Sequence, residues 1–178
     1  MSQPVTVQEL YQGIRDVPDF PKPGILFRDI TPLLLSPGSF RRAVELMAAP
    51  FRAVEVTRVV SIESRGFLLG APIALALEAG LVPIRKPGKL PAPRGRVEYA
   101  LEYGTDALEM HRDAVAGGDR VLIVDDVLAT GGTARAAAQL VRAHGAQVVG
   151  FTFLIELDPL KGRERLRNER IEALLHYA

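Results

Sequence analysis

The sequence predicts an α/β fold with a central, mostly parallel sheet flanked by helices, and three observations carry that expectation. Strand patterns alternate with helix patterns through the middle of the chain, the signature of a sheet covered on both faces. The best strand candidate, residues 121–124 (VLIV), is an unbroken and largely β-branched apolar run. Such runs suit strands buried on both sides, as in parallel sheets. That strand runs into two acids, a glycine-containing turn and an alanine-rich helix pattern, a strand–turn–helix unit. At 178 residues the chain is expected to form one domain, residues 1–178, with a substantial core.

The elements follow in order. Thr6 and Glu9 form a capping-box pattern, so a short helix is expected from there to about Val17. Pro18, Pro21, Pro23 and Gly24 then require an extended, turn-rich segment. Residues 25–30 read as a short strand carrying Phe27, Arg28 and Asp29, and Ser39 is a candidate cap for a second helix. Residues 58–62 are the first core strand and 66–78 the helix after it, with Pro72 predicting a late start or a kink. Residues 81–85 form the next strand. From 86 to 98, three prolines and two glycines lie among basic residues, which predicts a mobile basic loop. Strand character resumes at 99–103 and breaks at Gly104. The helix from Ala134 ends at His144, with Gly145 beyond it. Residues 147–157 are a long strand that can bend at Gly150, and 171–177 a terminal strand after a charged stretch. No repeat or low-complexity segment is apparent.

Composition excludes several classes. The net charge is +1, so nucleic acid and anionic membranes are not expected partners. The absence of cysteine removes disulfides, thiolate catalysis and cysteine zinc sites, and fits a reducing cytoplasm. The first ten residues do not read as a signal peptide, and uncharged stretches such as 66–77 are too short to span a bilayer. Histidines at 111, 144 and 176 lack ligand spacing, and neither G-x-S-x-G nor H-E-x-x-H occurs.

The chemistry concentrates in VLIVDDVLATGGT, residues 121–133. Asp125 and Asp126 fall at a strand's expected carboxyl end, where open α/β sheets bind ligands. Ala129, Thr130, Gly131, Gly132 and Thr133 then lead into a helix, whose free N–H groups and dipole suit a phosphate. This is neither a P-loop nor a dinucleotide fingerprint. Acids beside a phosphate must face donating hydroxyls or a metal ion. A phosphorylated ribose, with a diol one sugar-width from its phosphate, satisfies both halves.

The stretch resembles the phosphoribosyl-diphosphate motif of the type I phosphoribosyltransferases, and its LATGGT ending is similar to the adenine-specific branch. Further resemblance lies in PDFPKPGILFRDIT (18–31), ESRGF (63–67), VPIRKPGKLP (82–91) and LEYGTDALEM (101–110). It implies a type I phosphoribosyltransferase-like fold, with a small hood from approximately residues 1–35 and 156–178. It implies transfer of the phosphoribosyl group from 5-phosphoribosyl 1-diphosphate to adenine, giving AMP and diphosphate in purine salvage. In that resemblance the 129–133 loop holds the sugar phosphate and Asp125 and Asp126 accept from the ribose hydroxyls. Glu63, Ser64, Arg65, Arg85, Lys86 and Lys89 serve the diphosphate, with a cis Glu63–Ser64 peptide bond. Phe27 and Leu157 sandwich the adenine, and backbone around Arg28 reads its amine. By themselves Phe27 and Leu157 read as core residues. The resemblance also makes Glu102 the catalytic acid/base near N7. It replaces the aspartate that 6-oxopurine enzymes carry where this chain has Ala129. Mg²⁺ is implied, bound through substrate and water rather than by a protein ligand cluster. A cytoplasmic homodimer is implied too, in which Arg85 reaches the neighbouring site. Two rivals remain: a catalytically silent ligand sensor, which lacks room for a DNA-binding extension, and transfer to hypoxanthine, guanine or xanthine, disfavoured by Ala129.

Overall fold

The computed structural model describes residues 5–100 and 105–178. The chain divides into two compact units, one up to Leu46 and one from Met47 to Ala178.

The first unit opens with α1 (Val7–Gln12), closed by the expected capping box of Thr6 and Glu9. The helix is shorter than its sequence suggested. Residues 15–17 leave it to form β1 (Arg15–Val17), antiparallel to β2 (Phe27–Asp29). Opposite charges on facing residues account for the difference. Arg15 faces Asp29 at 2.5 Å, and Asp16 faces and pairs with Arg28, cross-strand pairs that favour a ladder over a helix end. Asp29 also accepts the Thr31 N–H at 2.9 Å. Thr31, ahead of Arg15, holds its carboxyl down to about 2. The two short helices α2 (Thr31–Leu35) and α3 (Pro37–Ala48) follow. α3 starts with Pro37, and Ser36 rather than Ser39 offers the cap oxygen, 3.4 Å from the Ser39 nitrogen. Proline at a first helical position explains the earlier start.

The second unit is built on a parallel sheet. Its strands are β3 (Arg58–Ile62), β4 (Gly80–Ile84), β7 (Arg120–Leu128), β8 (Gln147–Leu157) and β9 (Ile171–Tyr177), in the spatial order β4-β3-β7-β8-β9. All four pairings are parallel. Between β4 and β7 the chain makes an antiparallel hairpin, β5 (Arg94–Ala100) with β6 (Thr105–His111). α4 (Gly66–Ala76) links β3 to β4, and α5 (Gly132–Ala143) links β7 to β8. Short 3-10 turns at Ala49–Phe51, Asp158–Leu160 and Gly162–Leu166 complete the path.

The central strands are buried along nearly their whole length, as continuous apolar runs require. The β7–β8 register shifts so that Leu122 faces Gly150. Gly150 lies flat against the Phe51 ring, and a side chain there would collide with it. The register shift thus falls at the glycine where a bend was expected. α4 starts at Gly66 without delay and keeps Pro72 within it. β5 begins at Arg94, inside the stretch expected to be irregular, because β6 supplies a partner along seven register pairs. Val97 and Tyr99 pack on the core from its inner face. Among the described residues, no helix is long and apolar enough to cross a membrane.

Candidate active site

The strand order reverses between β3 and β7. The chain leaves β3 toward β4 on one side, then returns to β7 on the other. The carboxyl ends of these adjacent strands are where an open sheet leaves a crevice. Both ends carry expected site residues: Glu63, Ser64 and Arg65 after β3, Asp125 and Asp126 near the carboxyl end of β7.

Tight packing brings the two ends together. A Cβ on Gly66 would sit 2.8 Å from Asp125 Oδ1 and 3.2 Å from the Val124 carbonyl, so the start of α4 presses against β7. Arg65, just before that helix, reaches Asp126 Oδ2 at 2.7 Å. The Asp126 N–H is donated to Asp125 Oδ1 at 2.9 Å. Burial pushes Asp125 well above the ordinary carboxylate range, and the charge of Asp126 adds to the rise. Burial raises Asp126 too, against the pull of Arg65. Two acids in one desolvated place attract positive charge more strongly than two separated ones. Such hard oxygen donors fit a divalent cation that keeps part of its water. Among the described residues, Glu156, Asp158 and His176 have ligand atoms within 4.8 Å of one another. There Arg163 already occupies both oxygens of Glu156 at 2.8 Å and 3.0 Å.

The turn after β7 is set by glycine. Gly131 has φ 77° and precedes α5, which has no side-chain cap. The first-turn N–H groups of α5 therefore border the pocket lined by Asp125 and residues 127–134. A Cβ at Gly131 would lie 2.5 Å from the carbonyl oxygen of Gly162, and one at Gly162 would strike the Ala129 carbonyl. The 3-10 turn at Gly162–Leu166 is thus the floor under the loop. Gly162 escaped the sequence reading, since only its departure from a run of charged residues marks it.

The basic residues expected to meet diphosphate are held by acids. The Glu63 carboxylate takes Lys89 Nζ at 2.5 Å, the Lys86 N–H at 2.8 Å and Arg85 at 3.3 Å. Burial alone would raise its pKa, but these three partners hold it down to about 2. Lys86 Nζ pairs with Asp106 and donates to the Tyr99 hydroxyl at 3.0 Å. Glu109, 2 % exposed, fixes the same segment through Arg94 at 2.9 Å and the Gly88 N–H at 3.0 Å. Tyr99, Asp106 and Glu109 were not among the expected site residues. Their spacing from Lys86 in sequence leaves no local signal.

The Glu63–Ser64 peptide bond is cis, as is Phe20–Pro21. Phe27 and Arg28 lie on β2 in the first unit, where Phe27 meets the Phe20 ring edge-on at 5.1 Å. Leu157 ends β8 in the second unit, half-buried beside Tyr177 in the register. Glu102 lies outside the described residues.

A family model for the phosphoribosyl transferase domain matches residues 35–173. An adenine phosphoribosyltransferase of Myxococcus xanthus is 60% identical over 171 residues, 96% of this chain and 93% of the relative. One from Methylococcus capsulatus is 54% identical over 96% of this chain and its own full length. Among solved structures, the adenine phosphoribosyltransferase of Rhodothermus marinus superposes with a TM-score of 0.93 at 54% identity, covering 96% of this chain and 98% of that one. The Saccharomyces cerevisiae enzyme, solved with an imino-altritol bisphosphate and adenine, gives a TM-score of 0.89 at 42% identity, covering 95% and 98%. The chain belongs to the phosphoribosyltransferase family, within its adenine phosphoribosyltransferase branch.

Proposed function

We propose that this chain, acting as one phosphoribosyltransferase domain over residues 1–178, transfers the phosphoribosyl group of 5-phosphoribosyl 1-diphosphate to adenine, yielding AMP and diphosphate. The observation that carries the reading is the Asp125–Asp126 pair, the first half-buried and the second buried, followed shortly by an uncapped, glycine-turned helix start. A sugar phosphate fits the turn and a ribose diol fits the acids.

In this reading the N–H groups of residues 129–133 bind the 5′-phosphate, with the Thr130 and Thr133 hydroxyls beside them. Asp125 and Asp126 accept from the ribose hydroxyls, and their charge favours the positive charge that grows on the sugar as its bond to diphosphate breaks. Arg65, Arg85, Lys86 and Lys89, with backbone at Glu63 and Ser64, receive the diphosphate. Phe27 and Leu157 hold the adenine ring, and backbone around Arg28 reads its amine. Glu102 exchanges a proton at the purine N7 while the ring nitrogen bonds the anomeric carbon. A Mg²⁺ ion, held through substrate oxygens and water near Asp125 and Asp126, would neutralise diphosphate charge.

The resemblance also assigns a cytoplasmic homodimer in which Arg85 serves the neighbouring site. Its support on this chain is apolar exposure. Leu68 and Leu75 on α4 and Leu81 on β4 are 48%, 82% and 45% exposed.

A panel of adenine, hypoxanthine, guanine and xanthine, scored for diphosphate release from phosphoribosyl diphosphate, tests the assignment. Release with adenine alone is expected, because Ala129 leaves 6-oxopurines without their carboxylate. Comparable turnover of hypoxanthine or guanine would reject the adenine assignment. Release that needs no base at all would reject transfer altogether.

A further inference from the structure

The way Lys86 is held bears on how the site opens to its ligand. Lys86 follows β4 in the chain, and its ammonium group has two partners on the β5–β6 hairpin, Asp106 and Tyr99. Those partners are fixed by the ladder, since Tyr99 and Asp106 face each other in its register. The Tyr99 hydroxyl has every bond it can make. It accepts from Lys86 at 3.0 Å and from the Thr133 hydroxyl at 3.4 Å, and it donates to Asp106 at 3.1 Å. Lys86 is therefore one hydroxyl away from Thr133, in the loop assigned to the 5′-phosphate. Its ammonium also stands 5.6 Å from the centre of the Tyr99 ring.

Asp106 is suited to releasing this lysine. Its Oδ2 keeps the Tyr99 hydroxyl when Lys86 departs, and its Oδ1 keeps the Ala107 N–H at 2.8 Å. No buried carboxylate is stranded by the exchange, which is the usual large cost of breaking such a pair. Asp106 is also partly exposed, with 28% of its side chain open, so the pair itself is a modest one. Glu63 differs. It serves Arg85, Lys89 and the Lys86 main chain together, and acts as an anchor of the segment.

We propose that Asp106 is a resident stand-in for the diphosphate. It parks Lys86 beside the phosphate loop, and the incoming diphosphate takes the lysine over while Tyr99 continues to satisfy Asp106. Asp106 is thus a positioning residue that sets the affinity for diphosphate by competition. The inference rests on the assignment of Lys86 to the diphosphate.

Four full-length variants test it: Asp106→Asn, Asp106→Ala, Lys86→Ala and the double variant Asp106→Asn with Lys86→Ala. The measurements are the KM for phosphoribosyl diphosphate and the inhibition constant of inorganic diphosphate. Either Asp106 variant should tighten both by about three- to fivefold, the scale of one partly exposed ion pair. Lys86→Ala should weaken both, and adding Asp106→Asn to it should change nothing further. If Lys86→Ala leaves diphosphate affinity unaltered, the assignment of Lys86 fails and the inference with it. If Lys86→Ala weakens binding but the Asp106 variants leave it equal or weaker, that assignment stands and the hand-over is overturned. A gain that persists without Lys86 would mean simple charge repulsion, and would overturn it too.

Discussion

In the proposed reading, single side chains divide the work of this site between charge and proton transfer, and they make separable predictions. Glu102 is assigned the proton at N7, so Glu102→Gln should lower turnover by about 10² or more, the scale of one general acid/base. The KM for phosphoribosyl diphosphate should hardly move. Steady-state kinetics with turnover near wild type would remove Glu102 from the mechanism. Glu63 makes a prediction about acid stability. Its carboxyl is held at about 2 against an ordinary 4.5. A depressed value means that the folded state favours the ionised form. That contribution is whole above pH 4.5 and disappears as the pH falls toward 2. Denaturant midpoints measured across this window should fall more steeply for the wild type than for Glu63→Gln. Parallel curves would show that Lys89, Arg85 and the Lys86 main-chain N–H do not stabilise its charge. At this scale the candidate site was legible where its residues are contiguous. Asp125, Asp126 and the turn after them announce a chemistry by adjacency alone. Asp106 and Glu109 did not, because what matters about them is the segment from Arg85 to Arg94 that they hold, and that pairing exists only after folding.

Elements were legible according to how much of their identity is local. The strands at 58–62, 147–157 and 171–177 were expected with the bounds they have, since each is an apolar run cut off by charge or glycine. The β5–β6 hairpin was not, because the prolines and glycines around Arg94 mask the alternation of Arg96, Val97, Glu98 and Tyr99. A two-stranded ribbon is decided by its partner more than by its own composition. β1 was lost for a similar reason, its ladder depending on two charge pairs with β2. The turn before α5 was foreseen, but its support was not. Gly131 requires both its left-handed φ of 77° and the absence of a side chain against Gly162. Both contacts are with backbone, which cannot move aside as a flexible side chain can. Gly131→Ala should therefore displace the phosphate loop, with a backbone cost of about 1–3 kcal/mol before any collision. The expected result is a KM for phosphoribosyl diphosphate raised about tenfold or more, with the KM for adenine much less affected. A folded variant with wild-type values for both substrates would mean that the loop tolerates the side chain, and that the Gly162 floor does not set its shape.

For the whole molecule, the decisive feature is the helix that contacts the site from behind. α4 reads GFLLGAPIALA, without a charge in it, and a helix apolar on every side ordinarily has every side covered. Here Leu68 and Leu75, seven residues apart and so on one face, are 48% and 82% exposed. Leu81 on β4, 45% exposed, would be 3.7 Å from a side chain at Gly70 of the same helix. Apolar surface grouped in this way marks a contact with another molecule. The manner of contact is constrained as well. β4 is the edge of the sheet and carries Pro83, which lacks the N–H that a strand added at the edge would need. Pairing through the helix face is therefore favoured over extension of the sheet. Arg85 follows β4 directly, so a second copy docked on this face would stand close to the residue assigned to reach across. Sedimentation should accordingly give about twice the 19.4 kDa of one chain, and Leu75→Arg should shift the protein to the monomer. Because Leu75 is exposed and outside the site, the variant should still fold, which circular dichroism can establish independently. Its KM for phosphoribosyl diphosphate should rise if Arg85 is shared between copies. A wild-type protein that sediments as a monomer at the concentration where it is fully active would end the dimer assignment. A monomeric but fully active Leu75→Arg variant would keep the dimer and remove Arg85 from the neighbouring site.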